Sequence, residues 1–165
     1  MLPDAETTTT SPKIEAPAGG MSVMAKRVLV PVDGSEQAEQ ACQFVVEEFP
    51  ETELILLHVI NPAEAGYSAQ ASIPSFSEEW YEQAQAHAEE LFDDIEELAD
   101  GTDVTLERAI EVGKPVRTIV DYAEGEGVDH IVMGSHGRSG VARILLGSVA
   151  ESVVRRSPVP VTVVR

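Results

Sequence analysis

The sequence contains little cysteine, lysine or aromatic residue, and each shortage excludes a class of protein. Cysteine occurs once, as Cys42, so the chain can form no internal disulfide and offers no second thiol to a metal. Aromatic residues make up 5% of the chain, and no apolar run approaches the ~20 residues that a transmembrane helix needs. We therefore expect a cytoplasmic protein that is neither secreted nor embedded in a membrane, with Cys42 as a buried structural thiol.

Basic residues are scarce, and they are unevenly distributed. The chain has 29 acidic and 11 basic residues, a formal net charge of −18. This charge argues against nucleic acid or an anionic membrane as a partner, because like charges repel. It also suggests a salt-adapted protein, since salt screens self-repulsion; an ordinary acidic protein is the alternative. No lysine or arginine occurs between residues 28 and 107, whereas residues 108–165 hold 8 basic and 6 acidic residues.

The first 24 residues differ in composition from the rest of the chain. They contain a threonine run followed by prolines and glycines, and they have no periodic apolar face. A segment of this kind has nothing to pack against a core. We therefore predict a disordered tail over residues 1–24 and one folded domain over residues 25–165, a length that can bury a core of ordinary size.

Short apolar runs alternate with helical patterns throughout that domain. Strands are predicted at residues 28–32, 54–60, 104–110, 131–133 and 159–164, and a loop at 63–75. The cluster Asp33-Gly34-Ser35 is predicted to start the first helix, which Pro50 ends. A long helix is expected between Ser77 and Gly101, with the following residues on its apolar face: Trp80, Ala84, Ala88, Leu91, Ile95 and Leu98. Two further helices are predicted from Pro115 to about residue 124, and from about Ser148 until Pro158 breaks the pattern.

This order predicts the fold class. Strands that are apolar throughout and alternate with helices indicate a parallel sheet with helices on both faces. Right-handed crossovers make such a sheet doubly wound, so we expect a five-stranded, Rossmann-like α/β fold. Ligands of such folds bind beyond the carboxyl ends of the strands, where the strand order reverses. Asp33, the residues after Ile60, and Gly134 are predicted to share that edge.

A glycine-rich loop at residues 134–148 follows the fourth strand and precedes the last helix. Its glycines are Gly134, Gly137, Gly140 and Gly147. Glycine lets backbone N–H groups approach phosphate oxygens, and the helix start adds unpaired N–H donors. Further donors in the loop are Ser135, Arg138, Ser139 and Ser148. The position of the loop in an alternating α/β chain favours phosphate binding over an ordinary glycine-serine loop.

Other motifs are weaker. Gly113-Lys114-Pro115 lacks the hydroxyl and upstream glycine of a Walker A loop, and Asp33-Gly34-Ser35 lacks the dinucleotide fingerprint. Asp33 could instead cap the first helix, and both roles are compatible. His136 could touch a phosphate, although the pattern favours a solvent-exposed histidine. The remaining histidines, His58, His87 and His130, have no spacing that indicates a metal site, and the acidic face of the long helix reads as a solvated surface.

Four separated segments resemble the universal stress protein family in its ATP-binding form. The spacing Gly134-x2-Gly137-x9-Gly147-Ser148 is similar to that family's ATP-binding signature. Residues 28–35, residues 131–137 and the ending at residues 157–161 are similar to the family's first strand and turn, its fourth strand and its C-terminal strand. The resemblance covers nearly all of residues 25–165 and implies a fold of the adenine nucleotide alpha hydrolase-like type.

The resemblance also implies a ligand, its site and a dimer. The ligand is ATP, with ADP or AMP as alternatives and magnesium accompanying the nucleotide. Asp33 would contact the ribose and Val59 would lie near the adenine. The residues implied around the whole nucleotide are Pro31, Val32, Asp33, Val59, Met133, Gly134, Gly137, Arg138, Gly147, Ser148 and Val149. A homodimer would form through the last strand, at Val161, Thr162, Val163 and Val164, whose apolar edge otherwise invites uncontrolled pairing.

Three functions follow as alternatives. The first is an ATP-binding stress-response or signalling module in which the nucleotide changes conformation or partners. The second is an ATP-hydrolysing or nucleotidyl-transferring enzyme of the same fold; no nucleophile paired with a base is evident, so hydrolysis should be slow at most. The third is a dimerisation module without nucleotide.

Overall fold

Five parallel strands form one sheet in the part of the chain that the structure, a computed structural model, describes: residues 26–65, 77–136 and 146–165. The strands are β1 (Arg27–Pro31), β2 (Glu53–Ile60), β3 (Thr105–Val112), β4 (His130–Gly134) and β5 (Val161–Val164). Their order across the sheet is β3-β2-β1-β4-β5, and every neighbouring pair is parallel. The predicted five-stranded parallel α/β sheet is confirmed.

Helices cover both faces of the sheet, as a doubly wound fold requires. They are α1 (Glu36–Glu48), α2 (Pro62–Ala65), α3 (Glu78–Ala99), α4 (Pro115–Gly125) and α5 (Ser148–Arg156). One buried cluster joins α1 and α3 to the sheet, and a second cluster joins α4 and α5 to its other face. No helix among the described residues is both long enough and apolar enough to cross a bilayer.

The core of the sheet is formed by its three inner strands. Val28, Leu29 and Val30 of β1 are fully buried, as is the run from Leu54 to Leu57 in β2. Successive side chains point to opposite faces of a strand, so Leu54 and Leu56 belong to the α1/α3 cluster while Ile55 and Leu57 belong to the α4/α5 cluster. These strands therefore need apolar residues at every position, which is the pattern that identified them.

Several predicted boundaries were wrong by a few residues. β1 lies one residue earlier than predicted, β3 extends to Val112, and β5 begins at Val161 rather than at residue 159. The predicted loop at 63–75 begins within the short helix α2. Asn61, the residue before this helix, accepts a hydrogen bond at its Oδ1 from Ala63 N at 3.1 Å. An asparagine followed by proline at the first helical position is a strong helix start, and this outweighed the loop composition.

The predicted apolar face of α3 was correct in its middle and wrong at its C-terminal end. Ala88 and Ile95 are buried as expected, but Leu98 is 44% exposed. The buried residues of this helix are Ala88, Phe92, Ile95 and Ala99. The buried stripe of α3 passes through Phe92 and reaches Ala99, which leaves Leu98 on the solvent side.

Arg108 of β3 neutralises the acidic surface of α3 at one point. Its guanidinium lies 2.7 Å from a carboxylate oxygen of each of three residues: Glu89, Asp93 and Glu96. The hydrogen bond from Arg108 lowers the pKa of Glu96 below its ordinary value. These pairs are partly solvated, so each contributes little by itself, but together they fasten about two turns of α3 to an edge strand.

The single cysteine lies in the core, as predicted. Cys42 of α1 has no exposed surface. Burial, and to a smaller extent the nearby negative charge of Glu39, raises the pKa of its thiol to about 12. A thiol with such a pKa stays protonated at neutral pH, and the thiolate is the form that reacts. Cys42 therefore acts as a small apolar side chain.

Candidate functional site

The strand order reverses between β1 and β4, and this defines the candidate site. From β1 the chain builds outward to β2 and β3, and it then returns to the other side of β1 to add β4 and β5. The connections that leave the carboxyl ends of β1 and β4 therefore diverge and open a crevice between them. The residues that enter this crevice follow Pro31 on one side and Gly134 on the other.

The end of β1 is held in place from two directions. Val32 N donates to the carbonyl of Leu57 at 2.9 Å, and the carbonyl of Val32 accepts a hydrogen bond from His58 Nδ1 at 2.8 Å. His58 is buried, and its ring supports the carbonyl of Val32 from within the fold. The backbone that leads into Asp33 is thus fixed before the chain turns.

Asp33 does not cap α1, so the capping alternative was wrong in its choice of residue. The N-cap is Ser35, whose Oγ accepts from Ala38 N at 3.2 Å. Asp33 Oδ1 instead accepts from the N–H and the hydroxyl of Ser35, at 3.0 and 2.6 Å. Gly34 between them has a φ of +77°, a left-handed conformation that other residues rarely adopt. Asp33 therefore orients the cap and remains half-buried at the edge of the crevice.

Gly134, at the end of β4, is in close contact with the first turn of α1. A Cβ at this position would lie 2.6 Å from the Cβ of Gln37 and 2.8 Å from its backbone carbonyl carbon. Both distances are shorter than atoms can approach without displacement, so only glycine lets α1 lie against β4 here. Packing is a requirement for Gly134 that the sequence alone did not reveal.

Ser135 connects three elements just beyond β4. Its N–H donates to the carbonyl of Val164 in β5, and its own carbonyl accepts from Gly147 N, both at 2.7 Å. Gly147 is the N-cap of α5 and has no side chain to cap the helix. The first N–H groups of α5 therefore start beside the crevice without a side-chain cap.

The structure brings most of the predicted site residues to this edge of the sheet. Pro31 and Met133 are at the ends of the neighbouring strands β1 and β4, and Val59 lies in β2 with its side chain against the α4/α5 cluster. Ser148 and Val149 open α5 and are exposed. Gly137 and Arg138 lie outside the described residues.

Some residues that shape the site were missed because their side chains carry no motif. His58 holds a backbone carbonyl and Gln37 contacts a glycine, and these roles depend on which elements become neighbours. Ser135 was predicted as a donor in the loop, but its contacts with β5 and with the start of α5 were not. In the described ranges, no three His, Cys, Asp or Glu side chains converge as metal ligands. His87 faces His58 with ring centroids 6.4 Å apart and has Glu90 at 4.0 Å.

A comparison with protein families identifies the family to which this chain belongs. The model of the universal stress protein family matches residues 24–165, which is nearly the whole chain. The chain belongs to the universal stress protein family. Among its relatives is universal stress protein MJ0577 of Methanocaldococcus jannaschii, which is 38% identical over 160 residues, 88% of this chain and 98% of the relative.

Solved universal stress proteins have the same fold. The structure of MJ0577 superposes with a TM-score of 0.72, over 86% of this chain and 96% of that one. Universal stress protein UspA from Lactobacillus plantarum is 27% identical and superposes with a TM-score of 0.69, over 85% and 97%. A third universal stress protein, solved in complex with cAMP, is 26% identical with a TM-score of 0.55, over 86% and 97%. The expected adenine nucleotide alpha hydrolase-like fold is confirmed.

Proposed function

We propose that this universal stress protein binds ATP, or a close adenine nucleotide, in the crevice between β1 and β4 and serves as a cytoplasmic stress-response or signalling module. Magnesium accompanies the phosphates of the nucleotide. The bound nucleotide changes the protein's conformation or partners. The observation that carries the proposal is the junction at Ser135, where the end of β4 meets the start of α5, which has no side-chain cap. The relative solved with cAMP supports an adenine nucleotide as the class of ligand.

The crevice suggests a division of roles among its residues. Asp33, half-buried beside the switch point, contacts the ribose, and Val59 lies near the adenine. Pro31, Val32, Met133 and Gly134 form the wall behind the nucleotide. The phosphates lie against Gly147, Ser148 and Val149, where the N–H groups of Ser148 and Val149, which have no partner within the helix, and the helix dipole favour negative charge. Gly137 and Arg138 complete the phosphate contacts in this proposal.

The substitution Ser148→Glu places a carboxylate at the start of α5, and its effect on nucleotide binding should differ from its effect on stability. We expect Ser148→Glu to weaken ATP binding by more than about tenfold, because the negative charge of the new carboxylate would repel the negative charges of the phosphates. The same change should leave the melting temperature unchanged or slightly raised, since acidic residues in the first turn stabilise a helix. Titration calorimetry with ATP and magnesium, at a fixed salt concentration, measures the first effect, and thermal unfolding measures the second.

The matched control is Ser148→Ala, which removes only the hydroxyl and should change ATP affinity far less than the glutamate does. Native protein that binds no adenine nucleotide at millimolar concentration would disprove the proposed function. Equal ATP affinity in the native and Ser148→Glu proteins would show that any nucleotide binds elsewhere.

The edge strand β5 is the proposed surface for a homodimer. Its residues Val161, Thr162, Val163 and Val164 are all half-exposed, and hydrogen bonds to β4 use only one side of the strand. An open apolar edge favours pairing with a second copy. We expect sedimentation equilibrium to give twice the 17.7 kDa mass of the chain, whereas a single-chain mass at micromolar concentration would contradict the dimer.

A further inference from the structure

His136 follows Ser135 at the edge of the crevice, and its backbone starts from a fixed point. Ser135 is only 5% exposed and is held on both sides, by Val164 of β5 and by Gly147 at the start of α5. The sequence favoured an exposed histidine, but His136 is half-buried. Its position is therefore set by the junction of three elements.

The ring of His136 is held by the side chain of the preceding residue. Ser135 Oγ lies 3.0 Å from His136 Nδ1. A hydroxyl can donate to Nδ1 when the imidazole is neutral, and it can accept from Nδ1 when the ring is protonated. With the hydroxyl donating, the neutral ring carries its proton on Nε2, and the protonated ring carries one there as well. Where the hydroxyl donates, Nε2 is thus a hydrogen-bond donor in both charge states, which suits it to a phosphate.

His136 also lies beside the proposed phosphate position. A Cβ on Gly147 would be 3.4 Å from the Cα of His136, so the two backbones are in contact. Ser148, the first residue of α5, follows directly. We propose that His136 is a specificity-determining residue of the nucleotide site, which donates from Nε2 to the phosphate chain, and that Ser135 is its positioning residue. This inference depends on the proposed nucleotide site.

The assignment predicts how the protein distinguishes its ligands. A donor that contacts only the phosphates adds affinity for ATP and none for adenosine. The ratio of the two affinities therefore reports on His136, whereas the affinity for adenosine reports on the rest of the crevice. A residue that only supported the fold would change both affinities together.

The experiment compares ATP with adenosine by titration calorimetry, at fixed salt concentration, in native protein and three variants. His136→Ala should weaken ATP binding about ten- to a hundredfold, the usual contribution of one hydrogen bond to a charged group, and leave adenosine binding unchanged. His136→Gln should retain most of the ATP affinity, because its amide nitrogen can occupy the place of Nε2. Ser135→Ala should lie between the native protein and His136→Ala.

The control is Arg155→Gln, which removes an exposed positive charge from the far end of the same helix and should leave the ratio of affinities as it is in the native protein. Native ATP affinity in His136→Ala, or equal losses for ATP and adenosine, would overturn the assignment while leaving the nucleotide site intact. Native protein that binds neither ligand would overturn the proposed function, and this assignment with it.

Discussion

Replacing Phe92 by alanine should lower the free energy of unfolding by about 3–5 kcal/mol, the usual cost of truncating a buried aromatic residue. Phe92 is the largest side chain in the protein's described core that has no exposed surface, and it lies where α3 packs on the sheet. Its removal leaves a cavity that the surrounding strands can fill only in part. The guanidinium carbon of Arg108 lies 5.7 Å from the ring centroid, so a favourable cation–π contact is lost as well. Urea unfolding followed by circular dichroism measures the change.

The matched control for Phe92 is Leu98→Ala in the same helix. Leu98 is 44% exposed, so little apolar surface returns to water when it is shortened, and we expect a loss below about 1 kcal/mol. The sequence pattern assigned Leu98 to the buried face and left out Phe92. Equal losses in the two variants would mean that α3 is rotated from the orientation described above.

A methyl group added at Gly134 should have the second-largest effect, a loss of about 1–3 kcal/mol in the free energy of unfolding. The new Cβ would lie 2.6 Å from the Cβ of Gln37 and 2.9 Å from its carbonyl oxygen. Because two of the three nearest atoms are backbone, a change of rotamer cannot relieve the contact, and α1 must move away from β4. Thermal and urea unfolding of Gly134→Ala measure the cost.

Gly125→Ala is the control for this substitution. Gly125 is the last residue of α4, and a Cβ there meets no atom within 4 Å. We expect unchanged stability or a small gain, since alanine favours a helix more than glycine does. If Gly134→Ala were as stable as native protein and lost only nucleotide affinity, Gly134 would serve the ligand alone and the packing explanation would be wrong.

The distinction matters for interpreting loss of function. Gly134 belongs to the glycine spacing that suggested a phosphate site, and the structure shows that it is required for the contact between β4 and α1. A variant at Gly134 that fails to bind nucleotide therefore does not identify a ligand contact. A loss of nucleotide affinity in Ser148→Glu would point to a ligand contact, because that substitution stabilises the start of α5 and should not weaken the fold.

The positions of the helix starts were predicted from the sequence, but the capping residue was predicted correctly for α3 and not for α1. Ser77 was predicted to cap α3 and does so, with its Oγ accepting from Trp80 N at 3.1 Å. The cluster at residues 33–35 was predicted to be a helix start, but the sequence did not show that Ser35 is the N-cap and that Asp33 accepts hydrogen bonds from Ser35. Both Asp33 and Ser35 are good capping residues by type, and only the course of the backbone through Gly34 determined which of them reaches Ala38.

The sequence by itself determined the order of strands and helices along the chain and the parallel sheet, and it predicted which edge of the sheet holds the candidate site. Those properties follow from local patterns, because a strand buried on both faces must be apolar throughout and each crossover has one favoured hand. Only the tertiary structure decided which stripe of α3 is buried, why residue 134 is glycine, and how Ser135 holds His136 beside α5. These depend on contacts between residues far apart in the chain, such as Gln37 with Gly134 and Ser135 with Val164, and no local pattern encodes which of them will meet.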